Sequence, residues 1–409
     1  MTSPSPAPAT TAPERYFPLY TEEFAADPHG TYDRMRAEFG PLVPVELSPG
    51  IPATLVIGYQ QALRILNDPV RFPADPREWQ RTVPEDCPVR PMLEWRPNAL
   101  RSAGEAHTRY RSANTDSLDR VNQHQLRATV ERVAAETISQ FSPTGHADLL
   151  TEYAWPIAFR VLNEMLGCPA EIGQRVASGM AAIFEGVDAA AGNMLLGQAL
   201  RDLTALKRET PGDDVTSRLV DHPAGLTDEE MDHQLVTLYG AGIEPTTNLI
   251  TNTLRVLLTD ERFSGNLHAG SLSVRDALDE VLFTDPPMAS YCVSYPPQPV
   301  DVEGVRLPAH QPVVISMAAA NNDPSIGSAP GTRAGNRSHL AWSNGPHQCP
   351  AKSHAYLIAE TALTSLVDAL PEMDLAVPDE ELTWRPGPWH RALAALPVTF
   401  PPVPPVPQD

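Results

Sequence analysis

The chain has 409 residues, an apolar share of 42% and a formal charge of −21. That share supports a sizeable core, and no apolar run reaches the roughly 18 residues of a membrane span. So acidic a protein is poorly suited to nucleic acid or to anionic membranes.

Residues 1–14 lack the basic-then-apolar order of a signal peptide and read as a disordered Pro-rich tail. Cys87, Cys168, Cys292 and Cys349 lie far apart without paired spacing. That pattern favours reduced thiols and a cytoplasmic setting. A helix is predicted over Tyr32–Phe39, strands over Leu42–Leu47 and Ala53–Ile57, and a short helix over Gln61–Leu66. Residues 71–100 are irregular and rich in Pro, Trp and Arg, the pattern of a functional loop or lid. From 101 to 280 the chain reads as mostly helical, and from 288 to 340 as extended and loop-like. A last amphipathic helix is predicted over 351–370, ahead of a Pro-rich tail at 401–409. Helices dominate and small sheets lie near each end, so 15–400 reads as one α+β domain, mainly α.

Three segments carry chemistry. His107 and Arg111 are spaced i, i+4, so on a helix they put two cationic donors on one face. Residues 227–259 read as one long helix opened by a Thr227–Glu230 capping box. At 1.5 Å per residue it spans roughly 50 Å. Its middle reads Ala241-Gly242-Ile243-Glu244-Pro245-Thr246. Pro245 lacks an N–H and frees the carbonyl of Ala241, while Gly242 removes bulk beside it. Together they predict a groove where a small molecule approaches the backbone.

The third segment, His339 to Ala355, sets Cys349 between a Gly/Pro turn and the start of an Ala-rich helix. A thiolate there faces the positive end of a helix dipole, which favours deprotonation. Zinc held by His339, His347, Cys349 and His354 is an alternative, though that spacing matches no common zinc pattern. Pro324–Ala359 holds no Asp or Glu but does hold Arg333, Arg337, Lys352 and three histidines. In so acidic a chain that window reads either as a docking face for an acidic electron-transfer partner or as a chance gap.

Trp342-Ser343-Asn344-Gly345-Pro346-His347-Gln348-Cys349-Pro350-Ala351 resembles the haem-ligand loop of the cytochrome P-450 family, F-G-x-G-x-H/R-x-C-x-G. Trp342, Ser343 and Ala351 depart from that pattern. The central helix resembles the family's A-G-x-D/E-T-T/S, with Glu244 at the acid position and Pro245 where threonine is usual. His107-Thr108-Arg109-Tyr110-Arg111 is similar to the family's H-T-R-x-R. The family's E-x-x-R appears as Glu280-Val281-Leu282-Phe283, so its ion pair is lost and Arg333 is a conceivable substitute partner. Ser294 falls where a further propionate-binding arginine is common.

The resemblance covers about residues 15–400 and implies the P-450 fold, with a long central helix and small sheets. It implies heme b (iron protoporphyrin IX) with Cys349 as iron ligand. His107, Arg111 and His347 would contact its propionates, and Ala241, Gly242, Pro245, Trp342, Ser343, Gly345 and Ala351 would line the cofactor. Glu244, helped by Thr246 or water, would relay protons. The activity implied is monooxygenation of a small organic substrate over the haem, using an external ferredoxin and ferredoxin reductase, since no flavin or nicotinamide domain is visible. Two other readings stay open: a non-catalytic haem-binding partner or regulator, and a peroxide-using haem-thiolate enzyme, which Pro245 favours.

Overall fold

In the computed structural model, which describes residues 16–185, 189–264, 273–326 and 336–405, one helix organises the rest. This central helix runs Asp228–Thr259, capped at Thr227 as the sequence predicts. The Glu230 amide donates to Thr227 Oγ1 at 3.3 Å, and the Thr227 amide donates to Glu230 Oε2 at 2.8 Å. Asp228, Glu229 and Glu230 crowd the first turn, where the helix dipole favours negative charge. Arg109 also donates to both Glu230 oxygens, at 2.7 and 2.9 Å, and the Tyr110 hydroxyl donates at 2.7 Å. With Arg109 the largest influence, the Glu230 carboxyl is held down to about 2. The helix Gly104–Asp119, which carries the H-T-R-Y-R segment, is thereby pinned to the start of the central helix.

The central helix threads two cores. Met231, Leu235, Tyr239 and Ile243 pack with Leu200, Leu203 and Leu219. Leu249, Ile250, Leu254 and Leu257 pack with Val161, Val281 and Ile358. Each such side chain is almost fully buried and contributes on the order of 1.5–3 kcal/mol. The helices Trp155–Met165, Val274–Thr284 and Lys352–Ala369 supply the facing surfaces of the second core.

A third core lies under a five-stranded sheet ordered Phe17–Pro18, Leu42–Ser48, Ile51–Val56, Val313–Ser316, Ser290–Ser294. One of its two parallel joins, Leu55 opposite Val314, brings segments about 260 residues apart into one sheet. A three-stranded sheet joins His146–Asp148, Pro397–Thr399 and Asp374–Leu375, and Val300–Val302 pairs with Val305–Leu307. Residues 71–100 hold only two single-turn helices, Arg77–Gln80 and Arg90–Leu93, so that segment is irregular as expected.

Met317–Asn321 differs from expectation: it is a short helix inside the predicted extended region. Its alanine run favours helix, and Ser316 Oγ caps it by accepting from the Ala319 amide at 3.2 Å. The tail at 1–14, Arg333, and part of the acid-free window lie outside the described residues, as do the last four residues of the 401–409 tail. No described helix is long and apolar enough to cross a membrane.

Candidate active site

The cysteine loop is seated on the helix Tyr59–Leu66. A single 3-10 turn, Gly345–His347, approaches that helix so closely that a Cβ on Gly345 would meet the Leu66 carbonyl oxygen at 2.3 Å. Gly345 also has φ +69°, the left-handed region that glycine alone adopts freely. Asn67 Nδ2 donates to Asn344 Oδ1 at 2.9 Å, and the Tyr59 hydroxyl donates to the Ser338 carbonyl at 2.5 Å. Within the loop, the Cys349 amide donates to the Trp342 carbonyl at 2.9 Å and the Ser343 amide to the Leu340 carbonyl at 2.7 Å.

Ser343 stands where the family pattern has its first glycine, and its φ is +61°. A side chain in this conformation costs roughly 1–2 kcal/mol, more than the ordering cost of a glycine. Ser343→Gly should therefore raise stability by about 0.5–1 kcal/mol, read as a higher urea midpoint at unchanged slope. A lower midpoint would show that the serine hydroxyl, which bonds the Cys292 thiol, outweighs the strain.

Cys349 precedes the helix Lys352–Ala369. The Ala351 amide donates to its sulfur, and Arg111 and Lys352 add positive charge, all favouring thiolate. Burial outweighs them, so the protein alone pushes the thiol up from its ordinary value. This reverses the expectation drawn from the helix dipole. The dipole is a local effect, whereas the surrounding low-dielectric protein is set by the whole fold. A bound metal cation would restore deprotonation.

Two segments far apart in sequence meet beside the cysteine loop. The His107 and His347 rings lie 4.1 Å apart, and Arg111 donates to the Gln348 carbonyl. Burial first, then neighbouring positive charge, pushes His107 down and His347 to about 3. His107 Nε2 is buried without a partner. Arg111 forms no ion pair with a described carboxylate, in a chain with 51 acidic residues. A carboxylate group brought among these donors would satisfy all three.

Beside the middle of the central helix there is open space. Gly240 and Ala241 are exposed, although Thr246–Leu254 is wholly buried, and a Cβ on Gly240 would meet nothing within 4 Å. Pro245 lies inside the helix as predicted. Gly242 serves a second purpose that the sequence did not disclose: a Cβ there would meet Leu162 Cδ2 at 2.8 Å. Its missing side chain lets the helix Trp155–Met165 approach. Ala351 packs against the cluster containing Ile243, which brings the end of the cysteine loop to this helix.

Glu244 does not face the cysteine loop's cations. Its Oε1 accepts from Arg385 and from Asn248 Nδ2, the latter at 3.2 Å. Thr246 is buried one residue beyond Pro245.

Glu280 and Phe283 share the helix Val274–Thr284, as the spacing predicts. Glu280 pairs with Arg262 at 3.4 Å, and the Phe283 ring meets the His339 ring edge-on at 5.3 Å. Other contacts tie this helix to the segment before the cysteine loop. Asp279 pairs with Arg337 at 3.0 Å and accepts from the Tyr356 hydroxyl at 2.7 Å. Asn321 bridges the Leu282 carbonyl at 3.0 Å and the Leu340 amide at 2.7 Å. The zinc alternative does not assemble: among the described residues no three His, Cys, Asp or Glu side chains are arranged to hold a metal ion.

No family model matches the chain. The cytochrome P450 monooxygenase PikC of Streptomyces venezuelae is 31% identical over 391 residues, covering 93% of this chain and 92% of that one. The chain belongs to the cytochrome P450 family. The vitamin D(3) 25-hydroxylase of Pseudonocardia autotrophica is 29% identical over 404 residues, covering 96% and 98%. The 6-deoxyerythronolide B hydroxylase of Saccharopolyspora erythraea is 27% identical over 412 residues, covering 95% and 99%. Among solved structures, CYP154C4 from a Streptomyces strain superposes with a TM-score of 0.85 at 28% identity, covering 94% and 98%. The myxobacterial P450 CYP267B1, solved with myristic acid, gives 0.81 at 25% identity, covering 94% and 98%.

This P450 is therefore an oxidoreductase of the monooxygenase type with haem b as its cofactor. Its residues fit that group. A half-buried thiol at the start of a helix, a carboxylate-free set of donors and an open space beside the central helix suit an iron, two propionates and a flat macrocycle.

Proposed function

We propose that this P450 hydroxylates a bulky, largely aliphatic ring-bearing molecule, with Cys349 as the axial iron ligand and a ferredoxin as electron donor. The observation that carries the reading is the convergence of His107, Arg111 and His347 on one thiol, with no described carboxylate paired to Arg111. When bound, haem b supplies the oxygen chemistry, in which a C–H bond, O2, two electrons and two protons become C–OH and water.

The chain's own residues do the rest. The Ala351 amide, Arg111 and Lys352 hold charge on the Cys349 sulfur. His107, Arg111 and His347 bind propionate. Trp342, Ser343, Gly345 and Ala351 shape the loop around the thiol. Ala241 faces the open space, Gly242 lets the helix Trp155–Met165 approach from the side of Leu162, and Pro245 leaves the Ala241 carbonyl without its helical donor. Glu244 is the candidate relay carboxylate, accepting from Asn248 within the helix and paired with Arg385, which is 43% exposed. Thr246 offers a hydroxyl one residue past the place where the family carries threonine. Lys352, exposed beside the thiol in a stretch free of Asp and Glu, supports docking of an acidic ferredoxin. The vitamin D(3) and 6-deoxyerythronolide B hydroxylases among its relatives support the substrate class.

The test compares two electron sources on the same substrates. Purified holoenzyme is given vitamin D3 or 6-deoxyerythronolide B with ferredoxin, ferredoxin reductase and NAD(P)H, or with hydrogen peroxide alone. Reductase-driven hydroxylation is expected, and Glu244→Gln should slow it by about 10²-fold, the scale of a lost proton-transfer group. Peroxide brings its own protons, so the same variant should barely change that route. Equal losses on both routes would remove Glu244 as the relay. Turnover with peroxide only would favour the second reading, a peroxide-using enzyme, which the missing hydroxyl at Pro245 supports.

A further inference from the structure

Arg101 is only 4% exposed, and no described Asp or Glu pairs with it. Its guanidinium donates to the Met92 carbonyl and the Tyr291 hydroxyl and lies 5.2 Å from the Tyr291 ring centre. None of these partners carries a negative charge. An arginine does not shed its proton inside a protein, so a buried one without an anion is costly. Its backbone is fixed as well: Asn98 Oδ1 accepts from the Leu100 amide at 3.1 Å and the Arg101 amide at 2.9 Å.

The positive charge bears on His347, on Cys292 and on Tyr295. Ser294 and Tyr295 are 6% and 3% exposed, and each hydroxyl is buried without a partner. The buried cation bonds Tyr291 of the strand Ser290–Ser294, and the two unpartnered hydroxyls end and follow that strand, a donor set that suits a carboxylate. By the resemblance in sequence, Ser294 is where a propionate-binding arginine is common.

We infer that Arg101 takes over that arginine's task and binds a haem propionate, with the Ser294 and Tyr295 hydroxyls completing the site. The charge has moved from the strand Ser290–Ser294 to the irregular segment before the helix Gly104–Asp119. The inference rests on a haem site at Cys349 and His347. If that placement failed, wild-type protein would lack the thiolate-type spectrum, a result distinct from those below.

The test measures transfer of haem from the holoenzyme to excess apomyoglobin. Arg101→Gln should lose haem b about 10–100-fold faster than wild type, the scale of one charged hydrogen bond. Haem dimethyl ester, whose propionates are neutral, should leave wild type and Arg101→Gln at similar rates. Adding Ser294→Arg to Arg101→Gln should restore most of the retention, which a general folding defect would not permit. Unchanged haem b loss in Arg101→Gln would overturn the inference. So would an equal acceleration with haem b and with its ester.

Discussion

Cys349→Ala should abolish the thiolate-type Soret band of the reduced, carbon-monoxide-treated protein, and substrate oxidation with it. Within the loop no other side chain supplies a sulfur, and the Ala351 amide, Arg111 and Lys352 all direct positive charge at this one. The nearest competitor is Cys292, whose thiol bonds Ser343 and is pushed up to about 11, chiefly by burial. It is a poor source of thiolate, so Cys292→Ala should keep the band. The overall helix content of Cys349→Ala should match wild type, because loop residues Gly345 and Asn344, not the sulfur, seat the loop. A thiolate-type band persisting in Cys349→Ala would sink the assignment.

The largest effect on stability should come from Gly345→Ala. Two penalties coincide there. Left-handed backbone costs a residue with a Cβ roughly 1–2 kcal/mol, and an overlap with packed neighbours adds about 1–3 kcal/mol. The obstacle, 2.3 Å from the new methyl group, is the Leu66 carbonyl oxygen at the end of a helix, so it cannot rotate away as a side chain would. A loss of about 3 kcal/mol or more is expected in denaturant unfolding, together with weaker haem retention. Ser343 lies two residues away with nearly the same backbone angle, yet its exchange with glycine should act in the opposite sense. A Gly345→Ala variant as stable as wild type would mean that the loop can lift from the helix.

What could be read in the sequence was local. The cysteine loop is contiguous, and the capping box needs only Thr227 and Glu230. Pro245 declares itself by its place in an otherwise helical run. The i, i+4 spacing of His107 and Arg111 put them on one face without a partner in view. What escaped notice depends on residues far apart in the chain. Arg101 draws meaning from Tyr291, Ser294 and Tyr295, almost 200 positions later, and sits in a segment with no periodicity to interpret. The partner of Glu280 is Arg262, on the preceding short helix, and no spacing rule links them. Gly242 looked like part of a groove because the helix that needs its missing side chain lies 80 residues upstream, at Leu162. The thiol of Cys349 moved against the dipole argument for the same reason, since burial is a property of the whole fold.

Pro245 has one more consequence. Where a hydroxyl side chain spreads a helix, its rotamer can turn and the normal amide-to-carbonyl ladder can close again. A proline ring has no such alternative state, so the notch beside Ala241 is built into the covalent chain. An arriving molecule cannot trigger or release it. Any gating of chemistry by occupancy would then have to come from elements other than this helix.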